Sequence, residues 1–216
     1  MEKNMNKLRK HVVFDLGGVV FRLDRANAIR RFKEIGASHV EEFLDDYAQR
    51  GIFGNLEAGM ISAEEFRDQL SNIECKQFTM QELEYAWTGY AAQLFQHNFD
   101  ALLRLRREGF PVALLSNTNP FMMHWARSNQ FDGNGNSLDY YFDRLYLSYE
   151  MHMMKPSPEI FKAMIAGEQT TPDNILFIDD GKSNCEAAAE LGINTLNPEN
   201  GSDWRTAVFS ELDIPL

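Results

Sequence analysis

Cysteine is nearly absent from this chain. Cys75 and Cys185 are its only two, which leaves no disulfide framework and no cysteine metal-site spacing. None of the five histidines completes a His-Cys-Asp spacing for zinc. Positive charge is scarce too: 21 Lys and Arg against 32 Asp and Glu give a net charge of -11. That balance excludes a broad nucleic-acid footprint, which needs clustered Lys and Arg, and argues against an anionic membrane as partner. No apolar run approaches the roughly 20 residues of a membrane span. The polar start from Met1 to Lys10 leads into an apolar run too short for a signal peptide. A cytoplasmic protein is therefore expected. Neither the Gly-Lys-Ser/Thr phosphate loop nor the dinucleotide fingerprint occurs, so ATP or NAD binding by those routes has no support.

What is present is a chain of 216 residues, 44% of them hydrophobic, enough for one domain and a modest insert. His11–Phe14 is too short for a helix and reads as a strand. From about Asp24 to Asn98 the texture becomes helical, with apolar residues at Ala28, Phe32 and Ile35; Val40, Phe43, Leu44 and Tyr47; Phe66 and Leu70; and Leu83, Trp87 and Leu94. Ser62 and Glu65 fit a capping box at the start of one of these helices. Strands and helices alternate thereafter. The spacing predicts strands at 112–115, 145–147, 175–178 and 193–196, and helices at 99–108, 121–129, 158–166, 184–191 and 203–209. Fully apolar strands alternating with helices predict an α/β fold, a parallel sheet covered on both faces. Gly133-Asn134-Gly135-Asn136 reads as an exposed, loose loop.

Four segments carry chemistry. Asp15 ends the first apolar strand and is followed by Leu16-Gly17-Gly18. A carboxylate there is costly to bury unless it is paired, hydrogen-bonded or bound to a cation, and two glycines let the backbone turn sharply toward a ligand. Ser116-Asn117 follows the strand at 112–115 and offers a hydroxyl and a backbone N–H, though such a pair also reads as a simple turn. Lys155-Pro156 presents one cation on a stiffened loop, or a plain surface lysine. Asp179-Asp180 follows the strand at 175–178; adjacent acids repel unless a cation lies between them and Asp15. Oxygen ligands of this kind suit Mg²⁺, while helix-start enrichment in acids is the plainer reading. Asn184 either adds a neutral oxygen or faces solvent. In open α/β sheets ligands gather beyond the carboxyl ends of the strands, where these segments fall. An acidic protein needs a local cation or N–H cradle to hold a phosphorylated substrate.

The order Asp-x-Gly-x-Val, Ser-Asn, Lys-Pro, Asp-Asp, with a helical insert between the first two, resembles the haloacid dehalogenase-like (HAD) hydrolase superfamily across almost the whole chain. Phe14-Asp15-Leu16-Gly17-Gly18-Val19, Leu115-Ser116-Asn117-Thr118-Asn119 and Lys155-Pro156 look most like its small bacterial sugar-phosphatase branch, the α-glucose-1-phosphate phosphatase-like proteins. The resemblance implies a Rossmann-like core at 9–21 and 97–216 and a helical cap at 22–96. It implies that Asp15 attacks phosphorus to form an aspartyl-phosphate, which water hydrolyses. It places Mg²⁺ on Asp15, the Gly17 carbonyl and Asp180, with Asp179 and Asn184 as further candidates. Ser116 and Lys155 would stabilise the phosphoryl oxygens, Asn117 would join them in binding substrate, and the cap would choose the leaving group.

One departure stands out. Most phosphatases of this superfamily carry a second Asp two residues after the nucleophile as general acid and base; here Gly17 occupies that position. Asp24 is a candidate substitute, with helix capping as its alternative role. The expected function is a Mg²⁺-dependent phosphatase acting on a small phosphorylated metabolite, with no nucleic acid, membrane or obligate protein partner evident. A dehalogenase and a non-catalytic phospholigand-binding or interaction module are the rivals.

Overall fold

The computed structural model describes residues 9–45 and 49–215; the sequence expectations for Met1–Lys10 up to residue 8, and for Tyr47, lie outside it. In chain order the elements are β1 (His11–Phe14), β2 (Phe21–Leu23), α1 (Arg25–Glu34), α2 (Gly51–Glu57), α3 (Ala63–Ile73), α4 (Met80–Trp87) and β3 (Ala91–Leu94). There follow α5 (Gln96–Arg107), β4 (Val112–Ser116), α6 (Pro120–Ala126), β5 (Arg144–Leu147), α7 (Ser148–Met151), α8 (Pro158–Glu168), β6 (Ile175–Ile178), α9 (Lys182–Glu190), β7 (Asn194–Leu196) and α10 (Arg205–Glu211).

β1, β4, β5, β6 and β7 form one parallel sheet in the order β5-β4-β1-β6-β7. Alternation along each strand divides its side chains between the two faces. Val12, Phe14, Leu114 and Ile178 enter one hydrophobic cluster, and Val13, Leu115 and Phe177 enter the other. β1 pairs with β4 and β6 over Val12 to Phe14, so it is central and buried on both sides. Its carboxyl end therefore opens at the middle of the sheet edge, between the ends of β4 and β6. That geometry puts Asp15, Ser116 and Asp179 side by side.

Helices α1 to α4 lie between β2 and β3 and share the first cluster with one face of the sheet. Their packing is aromatic: Phe53 meets Phe32 at 5.4 Å and Phe66 at 4.9 Å between ring centroids. Phe66 then reaches Phe121 of α6 at 5.9 Å, joining the helical layer to the core. The capping box at Ser62 and Glu65 is present, and Thr79 and Glu82 form a second. No helix among the described residues is long and apolar enough to cross a membrane.

Three local expectations are corrected. Leu94, counted into a helical pattern, lies in β3, which pairs antiparallel with β2; residues that fit a helix period are drawn into a ribbon by a partner far away in sequence. The helical spacing at Val40, Phe43 and Leu44 yields only a short 3₁₀ turn over Val40–Glu42, and Arg25 Nε donates to the Leu44 carbonyl at 2.7 Å. The Gly133–Asn136 loop is exposed but not loose. The Asp132 carboxylate accepts from Asn134 N at 2.8 Å, Asn136 N at 2.9 Å and the Tyr141 hydroxyl at 2.6 Å.

Candidate active site

Asp15 is the first residue beyond β1. Its amide donates to the Ile178 carbonyl at 2.8 Å, continuing the β1–β6 ladder by one bond and fixing where its side chain stands. Oδ1 accepts from Leu16 N at 2.7 Å and lies 2.9 Å from Lys155 Nζ. Burial pushes the Asp15 carboxyl up, Lys155 pulls it down and Asp179 pushes it up again, leaving it at about 6.

Lys155 is no surface lysine. Its ammonium is enclosed, donating to Asp179 Oδ2 at 2.6 Å and the Leu115 carbonyl at 2.9 Å. Burial alone would lower its affinity for the proton; Asp15 and Asp179 outweigh burial and hold it above the ordinary lysine value. Its backbone is clamped by a reciprocal pair: Asn117 Nδ2 donates to the Lys155 carbonyl and Lys155 N donates to Asn117 Oδ1, both at 2.9 Å. The Asn117 side chain is thus engaged in holding Lys155, which the turn-forming Ser-Asn sequence did not reveal. Ser116 lines the cleft, its hydroxyl making a long 3.4 Å contact with the Asn117 carbonyl.

The adjacent acids differ sharply. Asp179 is fully buried and accepts from Lys155, from Gly181 N at 2.7 Å and from Asn184 Nδ2 at 3.0 Å. The Asn184 amide nitrogen is therefore turned to Asp179 rather than to solvent. Asp180 Oδ2 is buried and has no hydrogen-bond partner among the described residues. Burial, with Asp15 and Asp179 close by, pushes the Asp180 carboxyl up to about 7. One carboxylate oxygen each from Asp15, Asp179 and Asp180 falls within 4.8 Å of the others. An orphaned buried carboxylate oxygen beside two further acids is a donor set that fits a hard divalent cation. Gly17 lines the same cleft, and Gly18 takes φ +80° as the chain turns back under Asp180.

The helical layer closes the cleft with Glu57, Trp87 and Tyr90. Sequence reasoning missed Glu57. It sits one turn after Phe53 on the buried face of α2, and an acid at an apolar position is the signal that would have found it. Asn119, also missed, caps α6 through Oδ1, accepting from Phe121 N and Met122 N at 3.1 Å each. Its Nδ2 and Trp87 Nε1 are buried without hydrogen-bond partners among the described residues, and both residues line the cleft. Asp24 is a helix cap, accepting from Asn27 N at 2.9 Å at the start of α1. His152 does not line the cleft; its Nδ1 lies 3.0 Å from the Gly59 carbonyl.

A parallel sheet with a helical insert and this row of acids and lysine defines a class of hydrolases. The family model for haloacid dehalogenase-like hydrolases matches residues 9–192, and the chain belongs to that family. It is 45% identical over 196 residues to a D-ribitol-5-phosphate phosphatase of Bacteroides thetaiotaomicron, covering 91% of this chain and 95% of the relative. A predicted HAD-like family hydrolase of Porphyromonas gingivalis superposes with a TM-score of 0.90 at 40% identity, over 96% of this chain and all of the other. A HAD family enzyme of B. thetaiotaomicron, solved with magnesium and inorganic phosphate, gives a TM-score of 0.83 at 40% identity over 92% and 98% of the two chains.

Proposed function

We propose that this protein is a Mg²⁺-dependent phosphatase that hydrolyses a small sugar or sugar-alcohol phosphate through an aspartyl-phosphate. The observation that carries the reading is Asp180 Oδ2, buried and without a hydrogen-bond partner among the described residues, beside the Asp15–Lys155 pair. A dehalogenase has no need of a carboxylate held ready for a cation. The relative that acts on D-ribitol 5-phosphate and the related structure holding magnesium and phosphate support the choice.

In this reading Asp15 attacks phosphorus, and the Lys155 ammonium steadies both the attacking carboxylate and the incoming phosphoryl oxygens. The Ser116 hydroxyl and the backbone N–H groups after β4 take further phosphoryl oxygens. Asn117 binds substrate only through its backbone, because its side chain positions Lys155. Asp15, the Gly17 carbonyl and Asp180 would hold Mg²⁺, while Asp179, itself held by Asn184, orients Lys155 and completes the acid cluster. Bound Mg²⁺ supplies charge neutralisation for the phosphate. Residues 22–96 act as the cap and 9–21 with 97–216 as the core. The cap selects the leaving group, with Trp87 Nε1 offering a buried donor to a sugar hydroxyl.

The test is phosphate release across a panel of sugar and polyol phosphates, with Mg²⁺ and with chelator. Release that requires Mg²⁺ is expected; an inert protein across the panel would sink the reading.

A further inference from the structure

Hydrolysis of an alkyl phosphate needs a proton for the departing oxygen and a base for the incoming water, and position 17 offers neither. A Cβ on Gly17 would stand 2.7 Å from Leu23 Cδ2 and 3.0 Å from Leu23 Cγ, so a side chain at that position would require the Leu23 side chain to shift. The acid has to come from another element.

Glu57 stands at the last turn of α2 and lines the cleft with Asp15, Lys155 and Asp180. Its side chain is buried, and among the described residues no Lys, Arg or His forms an ion pair with it. A structural glutamate buried in this way would ordinarily have a cationic partner. Burial is the main influence on the carboxyl; the nearby Asn119 side chain moderates it, the negative Asp15 adds to it, and the group is pushed up to about 8. The proton therefore stays on at neutral pH. Glu57 is also tied to the core. The fully buried Ser148 Oγ donates to the Glu57 carbonyl at 2.6 Å and accepts from Thr118 N at 2.9 Å, two residues beyond Ser116. This end of the cap is thereby held in register with the segment that follows β4.

We propose that Glu57 is the general acid and general base of the reaction, supplied from the cap in place of an acid at position 17. The inference rests on the phosphatase reading. As an Asp15 oxygen bonds to phosphorus, the bond from phosphorus to the substrate oxygen breaks, and that oxygen takes the Glu57 proton. The products are the free alcohol, the aspartyl-phosphate and a Glu57 carboxylate. In the second half Glu57 takes a proton from water as the water oxygen bonds to phosphorus. The bond to Asp15 breaks, which releases inorganic phosphate and restores both carboxyl groups.

The experiment compares wild type with Glu57→Gln and Glu57→Asp on two substrates with Mg²⁺: a sugar-alcohol phosphate and p-nitrophenyl phosphate. An alkoxide needs the proton to leave; p-nitrophenolate does not. Glu57→Gln should lower turnover of the alkyl substrate by about 10²–10⁴-fold. On p-nitrophenyl phosphate it should give a burst of one equivalent of p-nitrophenolate and then stall, leaving phosphate on Asp15. Glu57→Asp, which keeps the carboxyl group, should restore part of the alkyl turnover. It also carries the test if Glu57→Gln fails to fold. Loss of less than threefold on the alkyl substrate, or equal loss on both substrates with no burst, would overturn the role of Glu57 while the wild type remains a phosphatase. A wild type inert on both substrates would overturn the phosphatase reading and this inference with it.

Discussion

A Cβ placed on Gly18 would stand 2.1 Å from Oδ2 of Asp180, so the backbone of one residue lies directly beneath the carboxylate of the other. Gly18 also has φ +80°, which side-chain-bearing residues adopt only with strain. Gly18→Ala should push the Asp180 carboxylate out of its place. The Mg²⁺ concentration for half-maximal activity should rise at least about tenfold, and stability should fall by about 1 kcal/mol or more. Metal titration of phosphate release and thermal melting check the two parts. An unchanged Mg²⁺ requirement would separate Asp180 from the metal.

Asp15→Asn removes the nucleophile while keeping its shape and its place after β1. Turnover should vanish, and the fold should persist because the β1–β6 ladder bond at this position is made by the backbone. Phosphate release and circular dichroism are the measurements. Full activity in the variant would refute the covalent route.

The centre of the sheet was legible because β1, β4 and β6 are buried on both faces and read as apolar runs, such as Val112-Ala113-Leu114-Leu115 and Ile175-Leu176-Phe177-Ile178. Asp15, Ser116 and Asp179 were legible for a related reason: each immediately follows such a run, with Asp180 next to Asp179. What escaped was whatever depends on contacts across the fold. β3 fits a helix period until β2 pairs with it. Asn117 reads as a turn former until its amide meets the Lys155 backbone, 38 residues further along the chain. Glu57 stands out only as an acid on the apolar face of α2, one turn after Phe53; nothing local shows that this face is turned to Asp15.

The Asn117 clamp makes a graded prediction. Asn117→Ala removes both hydrogen bonds to the Lys155 backbone and should lower kcat by about tenfold or more through misplacement of the ammonium, with stability reduced by roughly 1–3 kcal/mol. Lys155→Ala should cost more on both counts, because it leaves the buried Asp179 and the adjoining Asp15 without their cation; about 3–5 kcal/mol is expected. Steady-state kinetics and denaturant melts of the two variants give the comparison. If Lys155→Ala costs no more than an exposed-lysine change such as Lys182→Ala, the phosphate-clamp role is wrong.

Glu57 predicts how stability depends on pH. Its carboxyl has an ordinary value of 4.5 and is raised to about 8 in the folded chain, chiefly by burial. Below pH 4.5 folded and unfolded chains both carry the proton, so its protonation adds no pH dependence there. Between 4.5 and about 8 the unfolded chain releases the proton and the folded chain keeps it. The unfolded state then binds fewer protons, and stability must fall as pH rises. Above about 8 both states are ionised and the loss is complete. Asp15, Asp180 and Lys155, the other charged groups lining the cleft, are the same in wild type and Glu57→Gln, so much of their contribution cancels when the two are compared. With chelator present, Glu57→Gln should melt near the wild type at pH 4.5. At pH 8 it should be more stable by an amount on the order of a few kcal/mol, which raises Tm by roughly 5–10 °C. Melting curves at the two pH values decide it. A gap between variant and wild type that does not widen with pH would mean that Glu57 is ionised in the folded protein, and it would then lack the proton that the leaving oxygen needs.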